Sequence, residues 1–372
     1  MSNHDRTRAW VEVRLEALRA NYRAIQSVAG AAMMPMVKAG GYGLGAERVV
    51  RALEPLDPWG YGVATAAEGV ALRQSGVGRP IVVFGPLPPG DEAAAAAAAL
   101  TATISDLDGL ARWKAAAAGG PRDVHVEIDT GMGRAGFDWR STGDWAEAVR
   151  ALCGPELRWR GVYTHFHSAD AADPAPTRTQ WRRFLDALAQ LPVSREDLLV
   201  HASNSAAALR WPEFAADAVR PGIFLYGGRA VVPSVAGVAR AEPVVALRAR
   251  LLRVREVPPG TTAGYGATYA ARAWERWGTL AIGYGDGWPR ALGGRSEAIV
   301  HGTRVPLIGR ISMDMTVVDI SSVPAAATGD VVTLIGRDGE EAITVDDVAE
   351  LAGTISYEVL TRLGSRLPRV EC

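Results

Sequence analysis

Up to Gly228 the apolar positions alternate between short unbroken runs and stretches of helical period. Leu15, Leu18, Tyr22, Ile25 and Val28 step by three and four residues and stop at Gly30, which predicts an amphipathic helix closed by a glycine. Next comes Met33-Met-Pro-Met-Val-Lys-Ala-Gly-Gly-Tyr-Gly-Leu-Gly45, an apolar run that reads as a buried parallel strand and breaks into a glycine-rich loop. Further strand-like runs lie at 61–64, 80–84, 101–105, 124–129, 161–166, 198–201 and 219–225. Helical stretches at 68–74, 91–100, 107–118, 143–152 and 177–191 separate them, with Asp91 available to cap the alanine-rich one. Eight strand-then-helix units suggest a (β/α)8 TIM-type barrel. A doubly wound open sheet is the competing architecture.

Beyond Gly228 the rhythm changes to β-branched runs at 243–256, 278–284, 297–308, 311–320 and 331–336, punctuated by Pro, Gly and Asp. This predicts a mostly antiparallel β domain. Helical patterns return at 345–351, where Thr344 and Asp347 have the spacing of a capping box, and at 357–363. The expected organisation is an N-terminal strand in residues 1–12 packing with the C-terminal domain, a barrel over 13–235, and a β-rich domain over 236–372.

Composition narrows the function. Forty basic residues against 41 acidic ones leave a net charge of -1, so there is no footprint for nucleic acid or an anionic membrane. Cys153 and Cys372 are the only cysteines and have no metal-ligand spacing to histidine, which argues against a disulfide scaffold or a metal site. The polar opening residues and the absence of an apolar stretch of about 18 residues predict a soluble cytoplasmic protein.

Several polar side chains fall where strands give way to loops: Lys38, Arg134, His165, Asn204 with Ser205, and Arg220. In a closed barrel those ends converge on one mouth. A desolvated lysine is a usable nucleophile, and with arginines, a histidine and hydroxyls around it the set suits an anionic aldehyde such as pyridoxal phosphate. Each residue also has a plainer reading: Lys38 snorkelling to a rim, the arginines in rim ion pairs, His165 in the core, Ser205 as a helix cap.

Taken together the segments resemble the alanine racemase family over nearly the whole chain. The matching stretches are Val37-Lys-Ala-Gly-Gly-Tyr-Gly43, Asp129-Thr-Gly-Met-Gly-Arg-Ala-Gly-Phe137, Thr164-His-Phe166, Asn204-Ser-Ala-Ala207, Val219-Arg-Pro-Gly-Ile-Phe-Leu-Tyr-Gly227, Gly264-Tyr-Gly266, Ile282-Gly-Tyr-Gly-Asp-Gly-Trp-Pro-Arg290, Gly309-Arg-Ile-Ser-Met-Asp314 and Ser356-Tyr-Glu358. The resemblance implies a barrel followed by a β domain, pyridoxal 5'-phosphate as cofactor, an amino-acid substrate, and a homodimer with shared active sites. It implies interconversion of L-alanine and D-alanine, in a role supplying D-alanine for peptidoglycan. Rival readings are a racemase of broader range, for serine or basic amino acids, and a pyridoxal phosphate-binding protein without turnover.

The same resemblance implies roles for individual residues. Lys38 binds the cofactor's aldehyde and is one base, and Tyr265 of the partner subunit is the other. Tyr42, Ser205, Tyr357 and the backbone N–H groups of Gly222 and Ile223 hold the phosphate; His165 lies near the cofactor and Arg220 faces its ring nitrogen. Arg134 and Met313 bind the substrate carboxylate, and Tyr284 is the inner gate of the entrance. Gly40, Gly41 and Leu44 stand where the family pattern has asparagine, alanine and histidine. Gly285, Trp288 and Ser312 are further departures, expected around the entrance. Glu127 occupies a position where many members carry a carbamylated lysine, and is expected to orient Arg134 by its fixed charge.

Overall fold

Eight short parallel strands make the first sheet: Ala32–Met33, Tyr61–Val63, Ile81–Val83, Thr101–Ile104, Arg122–Asp129, Leu157–Tyr163, Leu199–His201 and Ala218–Val219. The computed structural model describes residues 7–117 and 120–372; residues 1–6 of the expected N-terminal segment, and residue 118 of the helix predicted at 107–118, lie outside the described residues. Each strand pairs with its neighbours in chain order, and Met36 makes a parallel bridge to Gly62 that joins the two remaining edges. A doubly wound sheet would reverse its strand order instead, so the barrel reading holds and the open sheet is excluded.

Helices cover the outside of the barrel, including Ala46–Leu53, Ala66–Gln74, Leu107–Ala116, Thr142–Leu152 and Ala175–Leu188. The gap after the last strand is covered by Leu15–Ala29, which packs on Ser205–Arg210 and on the turn Ile223–Tyr226. Its buried face is Leu18, Tyr22 and Ile25, the same stripe that gives its periodicity, and Gly30 ends it in the left-handed region. Two local expectations change. The run 219–225 is a strand only at Ala218–Val219, because Pro221 and Gly222 break it into a 3-10 turn. Asp91 makes no side-chain cap; Glu92 instead accepts from the Gly90 amide at 2.7 Å.

The second sheet is antiparallel apart from one pairing, and runs Glu341–Ile343, Val331–Asp338, Glu297–Val300, Thr303–Ile308, Thr316–Asp319, Glu275–Leu280, Val245–Val257, Ala9–Val13, Arg369–Glu371. Val245–Val257 also pairs with Val331–Asp338, which curls the strands between them into a small closed barrel. Ala9–Val13 pairs antiparallel with Val245–Val257 and parallel with Arg369–Glu371, so it belongs to this sheet and not to the first barrel. Thr344 and Asp347 form the expected capping box at Val345–Ala352.

Candidate active site

Lys38 begins a single turn, Lys38–Tyr42, and that turn is left-handed: φ is 52°, 61°, 66° and 53° at Ala39, Gly40, Gly41 and Tyr42. Left-handed helix crowds Cβ against the following carbonyl at about 1–2 kcal/mol per L-residue, a cost glycine escapes. Gly40 and Gly41 thus suit the hand of the turn rather than merely loosening it. Its backbone bonds are regular, with Gly41 N–H donating to Val37 at 2.8 Å and Gly43 N–H to Ala39 at 2.8 Å. Leu44, at the departure from histidine, is fully buried in the core.

Lys38 lines a cavity of about 460 Å³ together with Ala39, Tyr42, Thr354, Ile355 and Tyr357, among others. Burial, with the charges of Arg134 and Arg220, pulls the basicity of Lys38 below its ordinary value, and the Glu68 carboxylate partly opposes them. His165 is pushed down to about 3, by burial first and then by Arg220, Arg134 and Lys38. These four side chains, predicted from four separate strand ends, share one mouth.

Arg220 is buried and held by the barrel itself. Its Nη1 donates to the His201 carbonyl at 2.9 Å and lies 2.7 Å from His201 Nδ1. Nη2 donates to the carbonyls of Thr164 at 2.8 Å and Ala202 at 3.0 Å, and lies 3.3 Å from His165 Nδ1. The Nη hydrogens are therefore committed to protein acceptors. Among the described residues, Nε–H alone of its donors has no protein partner.

Two residues after Arg220, Gly222 N–H donates to Ser205 Oγ at 2.8 Å, which leaves the Ser205 hydroxyl hydrogen free to donate. A Cβ at Gly222 would sit 2.2 Å from the Tyr42 hydroxyl, so only glycine lets the phenol and this backbone share the space. Tyr42 stacks on Tyr226 with centroids 4.3 Å apart, and Tyr357 lies 6.1 Å from Tyr42. Ile223 follows Gly222 in the same buried turn. Asn204 caps the short helix Ser205–Arg210 by accepting from Ala207 N–H at 3.0 Å.

Glu127 does not face solvent: it is 4% exposed and accepts from Ser105 Oγ at 3.2 Å. Burial raises its pKa, while Tyr163, Arg134 and Ser105 act in the other direction. Arg134 is exposed and, among the described residues, has no hydrogen bond or ion pair, to Glu127 or to any other group. Any influence of Glu127 on Arg134 is thus through space, not through a paired contact.

Tyr265, Tyr284 and Met313 lie in the second domain and line no part of the Lys38 cavity within one chain. They are 69%, 41% and 52% exposed. Tyr284 and Met313 are neighbours, since Gly285 N–H donates to the Met313 carbonyl at 2.8 Å and Tyr284 N–H to Ser312 at 3.1 Å. Trp288, expected around the entrance, is fully buried in the core of its chain.

The residues present fit pyridoxal phosphate: an amine of depressed basicity, phenols and a hydroxyl beside a glycine backbone, and a buried guanidinium with one uncommitted N–H. Sequence reasoning did not single out His125, His201 or Glu68. The signal was there for the first two, each a histidine at an inward position of an apolar strand.

The description "Alanine racemase, N-terminal domain" matches residues 13–230 and "Alanine racemase, C-terminal domain" matches 244–371. An alanine racemase of Nostoc sp. is 37% identical over 385 residues, covering 98% of this chain and 95% of that protein. The crystal structure of alanine racemase from Bacillus anthracis with bound L-Ala-P has a TM-score of 0.90 and 33% identity, covering 98% of this chain and 95% of that one. Alanine racemase from Bartonella henselae, solved with covalently bound pyridoxal phosphate, has a TM-score of 0.88 and 27% identity over 98% of this chain and 100% of that one.

Proposed function

The chain belongs to the alanine racemase family, isomerases that interconvert L-alanine and D-alanine, and from that premise we propose that Lys38 and the partner subunit's Tyr265 are its two bases. Racemisation removes a proton from one face of the α-carbon and returns one to the other, which calls for a group on each side. The observation that carries the reading is the Lys38 amine of lowered basicity at a mouth shared with Arg134, His165 and Arg220. The exposure of Tyr265, away from the Lys38 cavity of its own chain, supports a site completed by a second copy.

Pyridoxal phosphate, when bound, supplies an electron-withdrawing ring that stabilises negative charge at the substrate α-carbon. Around it, Tyr42, Ser205, Tyr357 and the Gly222–Ile223 backbone bind the phosphate. Arg220 would offer Nε–H to the ring nitrogen; as an obligate donor it cannot readily give up a proton, which would leave that nitrogen unprotonated and restrain charge build-up at the α-carbon. Arg134, without a hydrogen-bond or ion-pair partner among the described residues, offers its fork to the substrate carboxylate, with Glu127 biasing its position by charge. Met313 adds a backbone N–H and Tyr284 narrows the entrance. We place the activity in the cytoplasm, as a source of D-alanine for peptidoglycan. Among the described residues no helix is long and apolar enough to cross a membrane.

The test is solvent deuterium uptake at the α-carbon. Tyr265→Phe is expected to slow exchange from L-alanine about 100-fold or more while exchange from D-alanine persists. Equal exchange from both enantiomers in that variant would refute the two-base reading. Mixing inactive Lys38→Ala and Tyr265→Phe chains should restore activity, because one site of the mixed dimer then holds both groups.

A further inference from the structure

Arg220, His201 and His125 form one hydrogen-bonded line through the barrel interior. Beyond the 2.7 Å contact of Arg220 Nη1 with His201 Nδ1, His201 Nε2 lies 2.9 Å from His125 Nδ1. His201 is 0% exposed and His125 1%. A guanidinium has hydrogens and no acceptor, so it sets the direction of every bond after it. His201 Nδ1 must accept, its proton therefore sits on Nε2, and this N–H donates to His125 Nδ1. His125 in turn carries its own proton on Nε2.

We propose that His125, which touches neither the lysine cavity nor the substrate side, is a positioning residue for racemisation. Its Nδ1 lone pair fixes the tautomer and ring plane of His201, and His201 holds the Arg220 guanidinium with Nε–H directed into the mouth. The inference rests on the reading of Arg220 as partner of the cofactor's ring nitrogen.

The barrel is shaped to seat this line. His125 pairs with Gly161 on the neighbouring strand, next to an irregularity in register, and a Cβ at Gly161 would lie 2.4 Å from the imidazole. Tyr163 stacks on His201 with centroids 5.0 Å apart at 11°, Phe84 meets the same ring edge-on, and Trp59 lies 5.9 Å from His125. Burial and the Arg220 charge keep both imidazoles neutral, as the line requires. Without the His125 acceptor, the His201 Nε2–H is left unpaired in the interior. Moving its proton to Nδ1 would set donor against donor at Arg220, so the disturbance reaches the guanidinium either way.

Two measurements decide it. In 15N NMR of the cofactor-free protein, His201 is expected to be neutral with its proton on Nε2, and His125 to have an unprotonated Nδ1. An Nδ1-protonated or doubly protonated His201 overturns the proposal whatever the variants do. In alanine turnover, His125→Leu should lower kcat about tenfold with KM unchanged, while His125→Asn, whose side-chain oxygen can accept in place of Nδ1, should stay within about threefold of the parent. Arg220→Lys separates the two levels of argument. If it lowers kcat and His125→Leu does not, the positioning role falls alone; if Arg220→Lys leaves turnover unchanged, the reading of Arg220 falls first.

Discussion

The Ala39 amide donates to the Glu68 carboxylate at 2.6 Å, tying the backbone just after Lys38 to the first turn of Ala66–Gln74. Glu68 also accepts from the Ala64 and Thr65 amides at 2.9 and 3.3 Å, completing a capping box with Thr65. Glu68→Ala should cost about 1–2 kcal/mol in urea unfolding, from the lost cap and the freed amide. It also removes an anion that raises Lys38 basicity, so the pH profile of Lys38 acylation in the cofactor-free protein should move to lower pH. A profile that stays in place would show that Glu68 only holds the backbone.

Gly222→Ala should weaken cofactor binding about tenfold or more. The added methyl meets the Tyr42 hydroxyl, and the stack on Tyr226 stops that ring from retreating. Absorbance titration of the cofactor-free protein measures this. Adding Tyr42→Phe to the Gly222→Ala variant should recover part of the steric loss; no recovery would mean that the methyl acts elsewhere.

The imidazoles of His125, His165 and His201 set a pH dependence of stability. His125 and His165 are held down to about 3 and His201 well below its usual value, whereas in the unfolded chain they take protons near 6.5. The unfolded state therefore binds more protons below pH 6.5, and stability falls as pH drops from 6.5 towards 3. Carboxylates titrate in the lower part of the same range, so the informative comparison is His125→Asn, which should reduce the slope of unfolding free energy against pH by about one proton, or about 1.4 kcal/mol per pH unit. An unchanged slope in urea melts from pH 6 to 4 would mean that His125 is charged in the folded state.

The left-handed turn at Lys38 predicts an order of substitution costs at Gly40, where a Cβ meets no neighbour and φ is +61°. Gly40→Asn should be nearly neutral, Gly40→Ala should cost about 1 kcal/mol, and Gly40→Val more, because asparagine tolerates this region and a branched side chain does not. Thermal melts rank the three. If valine matches asparagine, the hand of the turn carries no energetic weight.

The barrel was legible because its strand runs are short, apolar and separated by helical periods, and the lysine, arginine and histidine of the mouth lie where those runs end. Gly40 and Gly41 signalled a turn but not its hand, since glycine permits both. The break inside 219–225 is written in Pro221 and Gly222, but Ile223, Phe224 and Leu225 after them carry on the apolar run and mask it. Trp288 is expected around the entrance only as a departure from the family pattern; tertiary packing puts it in the core. His125 and His201 lie in separate strands, and only barrel closure brings their rings into contact.

Strand Ala9–Val13 emerges from a ribosome before the barrel, yet its two partners, Val245–Val257 and Arg369–Glu371, emerge after it. The later sheet thus encloses the earlier barrel between its own pieces, a topology of high contact order in which the nascent chain must keep an unpaired edge waiting. Splitting the gene between the two family-matched regions would leave the second fragment lacking a strand from within its sheet, and supplying that segment as a separate peptide is the rational way to make such a fragment foldable.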